Sequence, residues 1–292
     1  RTLRAQLQEH ARRATPSPNI EIPDPKSAPL ALSTTQEAST SASARKPSTG
    51  SPCPNSTARV VPPESYQRYT LEPASCAVSA AIKTPFEKIY AKGTWSGVAI
   101  NARNPTSFYS YSDPSKWKTR VSSSGDGSNT GEPTKAALKF LVDVIKEFRV
   151  QSILDVPCGD VNWIMEAFET DSVGMYAGLD ITQSVLDLNT RRFLHDANKA
   201  FALWDVTACA LPQLRDATTG CLRPFDLIHV RDVLQHLPLK DGARAAHHIL
   251  ASGARFVVST TFPVPANRNI QAGDFFNNNL QKPPSTSNTS IW

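Results

Sequence analysis

Five short apolar runs between residues 152 and 259 constrain the fold more than any other feature of the sequence. They are Ser152–Val156, Met175–Leu179, Phe201–Trp204, Asp226–Val230 and Arg255–Ser259. Segments with helical character precede and separate them, at 132–148, 161–169, 182–194, 207–216 and 239–251. Strands that alternate with helices form parallel sheets, so the sequence predicts an α/β fold with a doubly wound, mainly parallel, Rossmann-like sheet.

Carboxylates follow three of these runs, where the fold predicts a ligand crevice at the carboxyl ends of the strands. Asp155 ends the first run and leads into the turn Pro157-Cys158-Gly159-Asp160, while Asp180 and Asp205 follow the second and third runs. A glycine in such a turn lets the backbone approach a ligand, and an acidic residue after the second strand can accept hydrogen bonds from ribose hydroxyls. A single aspartate there is more often a helix cap, but capping alone does not explain three in this order.

The fourth run places three further polar residues at the same rim. It continues into Arg231, Asp232 and His236. A histidine or carboxylate in a crevice is the usual group for moving a proton near neutral pH.

Residues from about 85 to 280 resemble the class I S-adenosylmethionine-dependent methyltransferases. The narrower resemblance is to a group with a Ser-Gly-x-Gly-Ser loop (124–128), an Asp-x-Pro-Cys-Gly-Asp turn (155–160) and an Arg-Asp-x-Leu-x-His-Leu segment (231–237). It implies S-adenosylmethionine as cofactor and methyl transfer as the reaction. The near-neutral charge of the domain and the lack of an aromatic base-stacking motif favour a small molecule, sugar or protein side chain as the acceptor over a nucleic acid. The cofactor-binding candidates that follow are Asp155 and Gly159 for the methionine part, Asp180 for the ribose, Asp205 and Val206 for the adenine, and also Asp160 and Arg231. His236 and Asp232 are the catalytic candidates, either of them as a general base.

Two departures from the superfamily pattern accompany this resemblance. Pro157 and Val161 occupy positions where the superfamily prefers glycine. The sheet of the family usually continues with two more strands after the run at 255–259, and the sequence leaves no room for both. We therefore expect either a fragment or a sheet that lacks its last strands. A non-catalytic Rossmann-like module that binds a nucleoside ligand or a partner is the alternative function.

The amino-acid composition of the chain before residue 85 differs from that of the rest. Twelve of the 23 prolines lie before residue 86, all five tryptophans lie at or after Trp95, and residues 31–57 hold twelve Ser or Thr. Such a segment cannot offset its ordering cost. The prediction is a disordered tail over 1–84, a methyltransferase-like domain over 85–281 and a disordered end over 282–292.

Charge and cysteine content bear on partners and compartment. The net charge is +5, of which residues 1–85 contribute +4, so a nucleic-acid-binding face on the folded part is disfavoured. Five scattered cysteines without a C-x-x-C pair argue against a disulfide framework and a zinc ribbon, and no metal site is predicted. No apolar run could span a membrane. Because the chain begins with Arg1, we expect its natural start upstream. A cytoplasmic location is favoured, with the Golgi lumen as the alternative if an anchor precedes Arg1. The sequence does not indicate an oligomeric state.

Four other features have simpler interpretations. Cys158 is expected to be a small buried thiol, and at least one of His247 and His248 is expected to face solvent. Trp95 and Trp117 lie in an irregular segment, where packing and a lid over the cofactor are equally consistent with the pattern.

Overall fold

Five parallel strands form the central sheet in the computed structural model, which describes residues 69–97, 100, 121–169 and 173–282. The strands are β2 (Ser152–Asp155), β3 (Met175–Asp180), β4 (Lys199–Leu203), β7 (Leu227–Val230) and β8 (Phe256–Ser259), and their spatial order is β4-β3-β2-β7-β8. Neighbouring strands pair in parallel throughout. The predicted doubly wound parallel fold is confirmed.

The middle of this sheet is the core of the molecule. Every residue of β2, β3 and β7 is buried, whereas β4 and β8 are partly exposed edges of the sheet within the described residues. This is why the three central strands read as continuous apolar runs rather than as an alternating pattern.

Four helices accompany the sheet: α1 (Ala80–Lys92), α2 (Glu132–Phe148), α3 (Gln183–Arg192) and α4 (Leu239–Leu250). Helix α3 contacts β3, β4 and α1. Helix α2 contacts a 3₁₀ helix at Ile164–Glu169, which replaces the α-helix predicted over 161–169. Two shorter 3₁₀ turns lie at Asp126–Ser128 and Leu234–His236.

A small antiparallel sheet corrects two sequence predictions. It consists of β1 (Tyr69–Glu72), β5 (Gln213–Asp216) and β6 (Leu222–Arg223) in the order β1-β5-β6. The helix expected over 207–216 is therefore wrong: residues 207–212 form turns and irregular structure, and 213–216 form β5, which pairs with β1. Since β1 and the start of α1 precede residue 85, the domain boundary predicted at 84/85 falls within ordered structure.

A disulfide joins the segment before α1 to the loop after β4. The sulfurs of Cys76 and Cys209, 133 residues apart in the chain, are bonded, and Cys221 is also disulfide-bonded. The argument against disulfides was wrong, because it relied on local cysteine spacing and these residues come together only through the fold. Cys158 is a free, buried cysteine, as expected.

Several sequence features lie outside the described residues, among them the Ser/Thr-rich stretch 31–57, Trp117 and the end from residue 283. In the part of the chain that is described, no helix combines the length and the apolar character needed to cross a bilayer.

Candidate functional site

One cavity of about 410 Å³ opens at the carboxyl ends of the parallel strands. Residues that follow β2, β3, β4 and β7 line it, together with α1 and the loop around Gly125. All nine site candidates named from the sequence lie in its wall: Asp155, Gly159, Asp160, Asp180, Asp205, Val206, Arg231, Asp232 and His236. The strand ends thus bring the nine residues together around one cavity, and their roles stay predictions.

Asp180, the last residue of β3, presents a buried carboxylate to the cavity. Its Oδ2 accepts from the backbone N–H of Gly159 at 3.0 Å, and its Oδ1 accepts from the backbone N–H of Thr182 at 2.9 Å. Burial raises the pKa of Asp180 to about 6, and these backbone hydrogen bonds offset only part of that effect. Each carboxylate oxygen has two lone pairs, so both can accept a further hydrogen bond from a ligand.

The turn after β2 is held in an unusual backbone conformation. Gly159 has φ of +53°, and a Cβ at this position would lie 2.4 Å from Oγ of Ser124, so a larger residue does not fit. Val161 has φ of +49°, a region in which glycine is preferred and a β-branched residue is strained. The chain thus keeps a left-handed conformation at a position where the superfamily has glycine, although it does not keep the glycine.

Asp155 is not a free carboxylate. The Tyr176 hydroxyl donates to its Oδ2 at 2.7 Å, and Nδ1 of His229 lies 2.7 Å from its Oδ1. All three side chains are buried, and Asp155 and His229 are register partners on β2 and β7. The side chain of Asp155 therefore orients His229, whose ring also lines the cavity.

Asp160 anchors the serine loop that precedes α2. Its carboxylate accepts from Oγ of Ser122 at 2.9 Å, and from the backbone N–H of Ser123 at 2.8 Å and its Oγ at 3.0 Å. Its backbone N–H donates to Ser124, whose hydroxyl also bonds Tyr90 of α1. Asp160 thus shapes the cavity by fixing this loop.

Asp205 fixes the wall opposite the serine loop. Its Oδ1 accepts from the backbone N–H and the hydroxyl of Thr207, at 2.9 and 2.6 Å, and its Oδ2 accepts from the backbone N–H of Ser79 at 3.1 Å. Ser79 precedes α1, three residues after the disulfide-bonded Cys76. The carboxylate and the disulfide therefore attach the same segment to the end of the cavity near β4.

Arg231 is the only lysine or arginine among the described residues that line the cavity, and it is engaged on three sides. Its Nη2 donates to the carbonyl of Gly127 at 2.8 Å, its Nη1 lies 3.3 Å from Oδ2 of Asp232, and its guanidinium lies 5.0 Å from the centre of the Trp163 ring. Asp232 has φ of +55° and accepts from Nε2 of Gln235 at 3.1 Å. These contacts hold both charged groups at the rim.

His236 lies between two aromatic rings at the same rim. The ring centroids of Trp95 and Phe275 are 4.8 and 5.5 Å from its own. Nδ1 of His236 is 2.8 Å from the carbonyl oxygen of Asp274, which can only accept, so the hydrogen is on Nδ1 and Nε2 of the neutral ring keeps a free lone pair. Burial lowers the pKa of His236, which favours this neutral form at pH 7.

Residues 154–256, about a third of the chain, match a family model described as a methyltransferase domain. This segment begins within β2, contains β3, β4 and β7, and ends at the first residue of β8. Residues 154–256 are thus similar to the methyltransferase domain family. The recognition made from the sequence is therefore confirmed for this segment, and the cofactor of that class of enzyme is S-adenosylmethionine.

Solved structures similar to this chain include three methyltransferases. The methyltransferase domain of bacterial CtHen1 is 19% identical, with a TM-score of 0.36, over 44% of this chain and 66% of that one. CalS10, an amino pentose methyltransferase from Micromonospora echinaspora, is 20% identical, with a TM-score of 0.35, over 46% and 53%. The magnesium protoporphyrin IX methyltransferase of Synechocystis is 14% identical, with a TM-score of 0.35, over 47% and 66%. The chain thus spans between half and two thirds of the length of these relatives, and a search of curated proteins finds no match.

Several residues that sequence reasoning missed contact the carboxylates of the cavity. His229 on β7 and Tyr176 on β3, and Ser122 and Ser123 before α2, complete the hydrogen bonding of Asp155 and Asp160. Only the strand register could have indicated His229, because nothing in the spacing along the chain links it to Asp155. Trp95 both packs on Phe86 and Tyr90 and lines the cavity, so its two interpretations are compatible.

Other candidates in and near the methyltransferase domain have structural roles. Burial and the neighbouring carboxylates raise the pKa of Cys158, which disfavours a nucleophilic thiolate. His247 is exposed, and Nδ1 of His248 lies 2.7 Å from the carbonyl oxygen of Val206. No group of three metal-ligating side chains occurs within the described ranges.

Proposed function

We propose that this chain binds S-adenosylmethionine at the ends of β2, β3 and β4 and transfers its methyl group to an acceptor in the same cavity. The observation that carries the proposal is the buried carboxylate of Asp180, placed at the end of the second strand of a segment that matches the methyltransferase domain family. A nucleoside-bearing cofactor needs an acceptor for its ribose hydroxyls at this position of the sheet.

Two polar groups of the cavity fit such a cofactor. The backbone N–H groups of Gly159 and Thr182 each donate to a different oxygen of Asp180, so each oxygen has a lone pair left for a ribose hydroxyl. The indole Nε1–H of Trp204, a residue that lines the cavity beside Asp205, is buried without a hydrogen-bond partner among the described residues. A buried donor left unpaired costs about 1–3 kcal/mol, so an acceptor nitrogen on a ligand would be stabilised there.

The carboxylates have different roles in this proposal. Asp180 accepts from the ribose, while Asp155, Asp160 and Asp205 fix His229, the serine loop and the segment before α1. The backbone around Gly159 and Val206 supplies the remaining wall for the methionine and adenine parts. A sulfonium-bound methyl group is already activated, so the protein mainly has to align the donor and the acceptor.

His236 is the proposed general base. Its Nδ1 is tied to the Asp274 carbonyl, its ring is held by Trp95 and Phe275, and its Nε2 is free to take a proton from the acceptor. The side chain of Asp232 is more than two-thirds buried and is paired with Arg231 and Gln235. These contacts hold the segment that carries His236.

Calorimetry followed by a transfer assay tests this function. We expect S-adenosylmethionine and S-adenosylhomocysteine to bind one per chain, and radiolabelled methyl groups to pass from the cofactor into a cell extract. Binding without any transfer would favour the alternative, a non-catalytic nucleoside-binding module. Absence of binding would exclude both functions.

The disulfides favour an oxidising compartment for this chain. The Cys76–Cys209 bond closes a segment of 133 residues, and Cys221 is also oxidised. Structural disulfides persist where glutathione does not keep thiols reduced, so they weigh against the cytoplasmic location that the sequence favoured. Alkylation of the native protein before and after reduction, read by mass spectrometry, would count the free thiols. One free thiol before reduction supports this location, and five would exclude it.

A further inference from the structure

Aromatic side chains form part of the cavity wall around His236. We call Trp95, His236, Phe262 and Phe275 the aromatic wall, because all four line the cavity. Trp95, His236 and Phe275 follow one another at centroid distances of 4.8 and 5.5 Å. Phe275 is 57% exposed although it lines the cavity, which places it at the opening. A flat apolar ring would bury this surface and gain offset or edge contacts with it.

The charge of the cavity disfavours an anionic acceptor. Arg231 is its only lysine or arginine among the described lining residues, and a carbonyl, a carboxylate and an indole ring already occupy that guanidinium. Asp155, Asp160, Asp180, Asp205 and Asp232 add negative charge. Among the described lining residues, a carboxylate or phosphate group of an acceptor would therefore find no unengaged cation to pair with, which is costly in a desolvated site.

The basicity of His236 limits how high the pKa of the acceptor hydroxyl can be. Nε2 of His236 is a neutral imidazole nitrogen, and burial makes it a weaker base than an exposed histidine. A phenolic hydroxyl, with a pKa near 10 like that of tyrosine, can pass its proton to such a base as the new bond forms. An aliphatic alcohol holds its proton far more strongly.

We propose, on the basis of the function proposed above, that the acceptor is an uncharged aromatic compound with a phenolic hydroxyl, stacked on the aromatic wall. The phenolic oxygen forms a bond to the methyl carbon as the carbon–sulfur bond breaks, and the electron pair of that bond stays on sulfur. The hydroxyl proton passes to Nε2 of His236 and then to water. The products are an aryl methyl ether, S-adenosylhomocysteine and a proton.

Three matched sets of acceptors test separately the effects of the aromatic ring, of the charge and of the type of hydroxyl on methyl transfer. The full chain, with its disulfides intact, is given labelled S-adenosylmethionine and neutral phenols, cyclohexanols of the same size, or the same phenols with a carboxylate. We expect the neutral phenols to give labelled ether at least about tenfold faster than either other set gives labelled product. The cyclohexanols lack the aromatic contact, and the carboxylated phenols bring an unpaired charge into the cavity. Faster transfer to the cyclohexanols or to the carboxylated phenols would overturn the proposal.

A binding measurement is independent of turnover. Calorimetric titration of the same three sets into the chain saturated with S-adenosylhomocysteine should give heat only with the neutral phenols. If S-adenosylhomocysteine itself does not bind, the proposed function fails. If it binds and no neutral phenol binds to the complex, only the acceptor proposal fails.

Two phenylalanine variants give a matched pair. Phe275→Ala should weaken phenol binding about three- to tenfold without changing the affinity for S-adenosylhomocysteine. Phe140→Ala, which truncates a residue of α2 that is 39% exposed and does not line the cavity, should change neither. Equal phenol binding by the two variants would overturn the proposed contact.

Discussion

Asp180 is a buried carboxylate whose identified hydrogen-bond donors are both backbone amides. Burial destabilises the ionised form of this carboxyl group. The pKa of Asp180 is therefore raised to about 6. Such a group gains most when a ligand brings hydroxyl donors, because hydrogen bonds to the ionised form return its pKa toward the ordinary value.

The affinity for S-adenosylhomocysteine should depend on pH through Asp180. The ionised form binds the ribose, and the free site takes up a proton with a pKa of about 6. Binding thus releases a proton below this pH, and the dissociation constant should rise about tenfold from pH 7 to pH 5 while staying flat above pH 7. Calorimetry at four pH values measures this. An affinity that is constant down to pH 5 would contradict the role of Asp180.

Asp180→Asn should weaken cofactor binding by about 1.5–3 kcal/mol, the scale of a lost charge-assisted acceptor, and should remove the pH dependence. Asp187→Asn is its control, because Asp187 is exposed on α3 and its hydrogen bond is to Gln183. Similar losses at the two positions would show that Asp180 acts through general electrostatics rather than by contact.

His236→Gln separates proton transfer from positioning. Glutamine keeps some bulk and hydrogen bonding but cannot take up the proton, so turnover should fall about 10²- to 10⁴-fold with cofactor affinity unchanged. Because burial lowers the pKa of His236, wild-type turnover should already be independent of pH at 7 and fall only below the ordinary histidine pKa. His247→Gln, at an exposed position of α4, should do nothing. A variant that melts earlier and binds cofactor more weakly would show a structural role instead.

At the scale of elements, the segment before α1 is the least expected part of the site. Cys76 is bonded to Cys209, and the Ser79 N–H is bound to Asp205, so α1 is attached at its start and supplies Ile82, Phe86 and Tyr90 to the cavity. These two links act at the start of the helix, in addition to its packing in the core and the hydrogen bond between Tyr90 and Ser124.

Cys209→Ser should loosen that attachment. By the chain-entropy account, removing a crosslink over 133 residues costs about 2–5 kcal/mol of unfolding free energy, measurable by urea denaturation. Cofactor affinity should fall as well, because the wall near β4 loses its covalent link. Cys76→Ser and the double variant should match the single one. Additive losses in the double variant would contradict a shared bond.

The elements that sequence predicted well are those whose pattern is local. The strands β2, β3 and β7 are buried on both faces and read as apolar runs, and α2 has a clear helical spacing. Strand β5 was missed because its partner β1 lies 140 residues earlier, in a stretch whose composition resembles a tail. The disulfide was missed for the same reason, since no local pattern links Cys76 with Cys209.

The candidate site likewise has residues whose positions the sequence predicts and residues whose positions it does not. The parallel sheet gathers its strand ends at one edge, so the positions of Asp155, Asp180 and Asp205 could be predicted. Their partners could not, because Asp155 binds Tyr176 and His229 across neighbouring strands and Asp205 binds Ser79 of a distant segment.

At the scale of the whole molecule, cofactor binding and folding should be linked. The residues that line the cavity range from Ile82 to Asn277, so a ligand bound there stabilises elements from most of the described chain. S-adenosylhomocysteine at about 100 times its dissociation constant should add about 2.7 kcal/mol, or roughly 5–10 °C in the melting temperature. A melting temperature that does not move at that concentration would contradict binding to the folded chain, and Asp180→Asn at the same concentration should show a smaller shift.

All three tryptophans that the structure describes, Trp95, Trp163 and Trp204, line this one cavity. The protein therefore carries its own optical reporters. Intrinsic emission should respond to whatever enters, without any attached dye. Trp204 stands beside Asp205 and Trp95 beside His236, so replacing each in turn with phenylalanine would assign a change in emission to one end of the cavity. The order in which the two signals change would show which of two ligands arrives first.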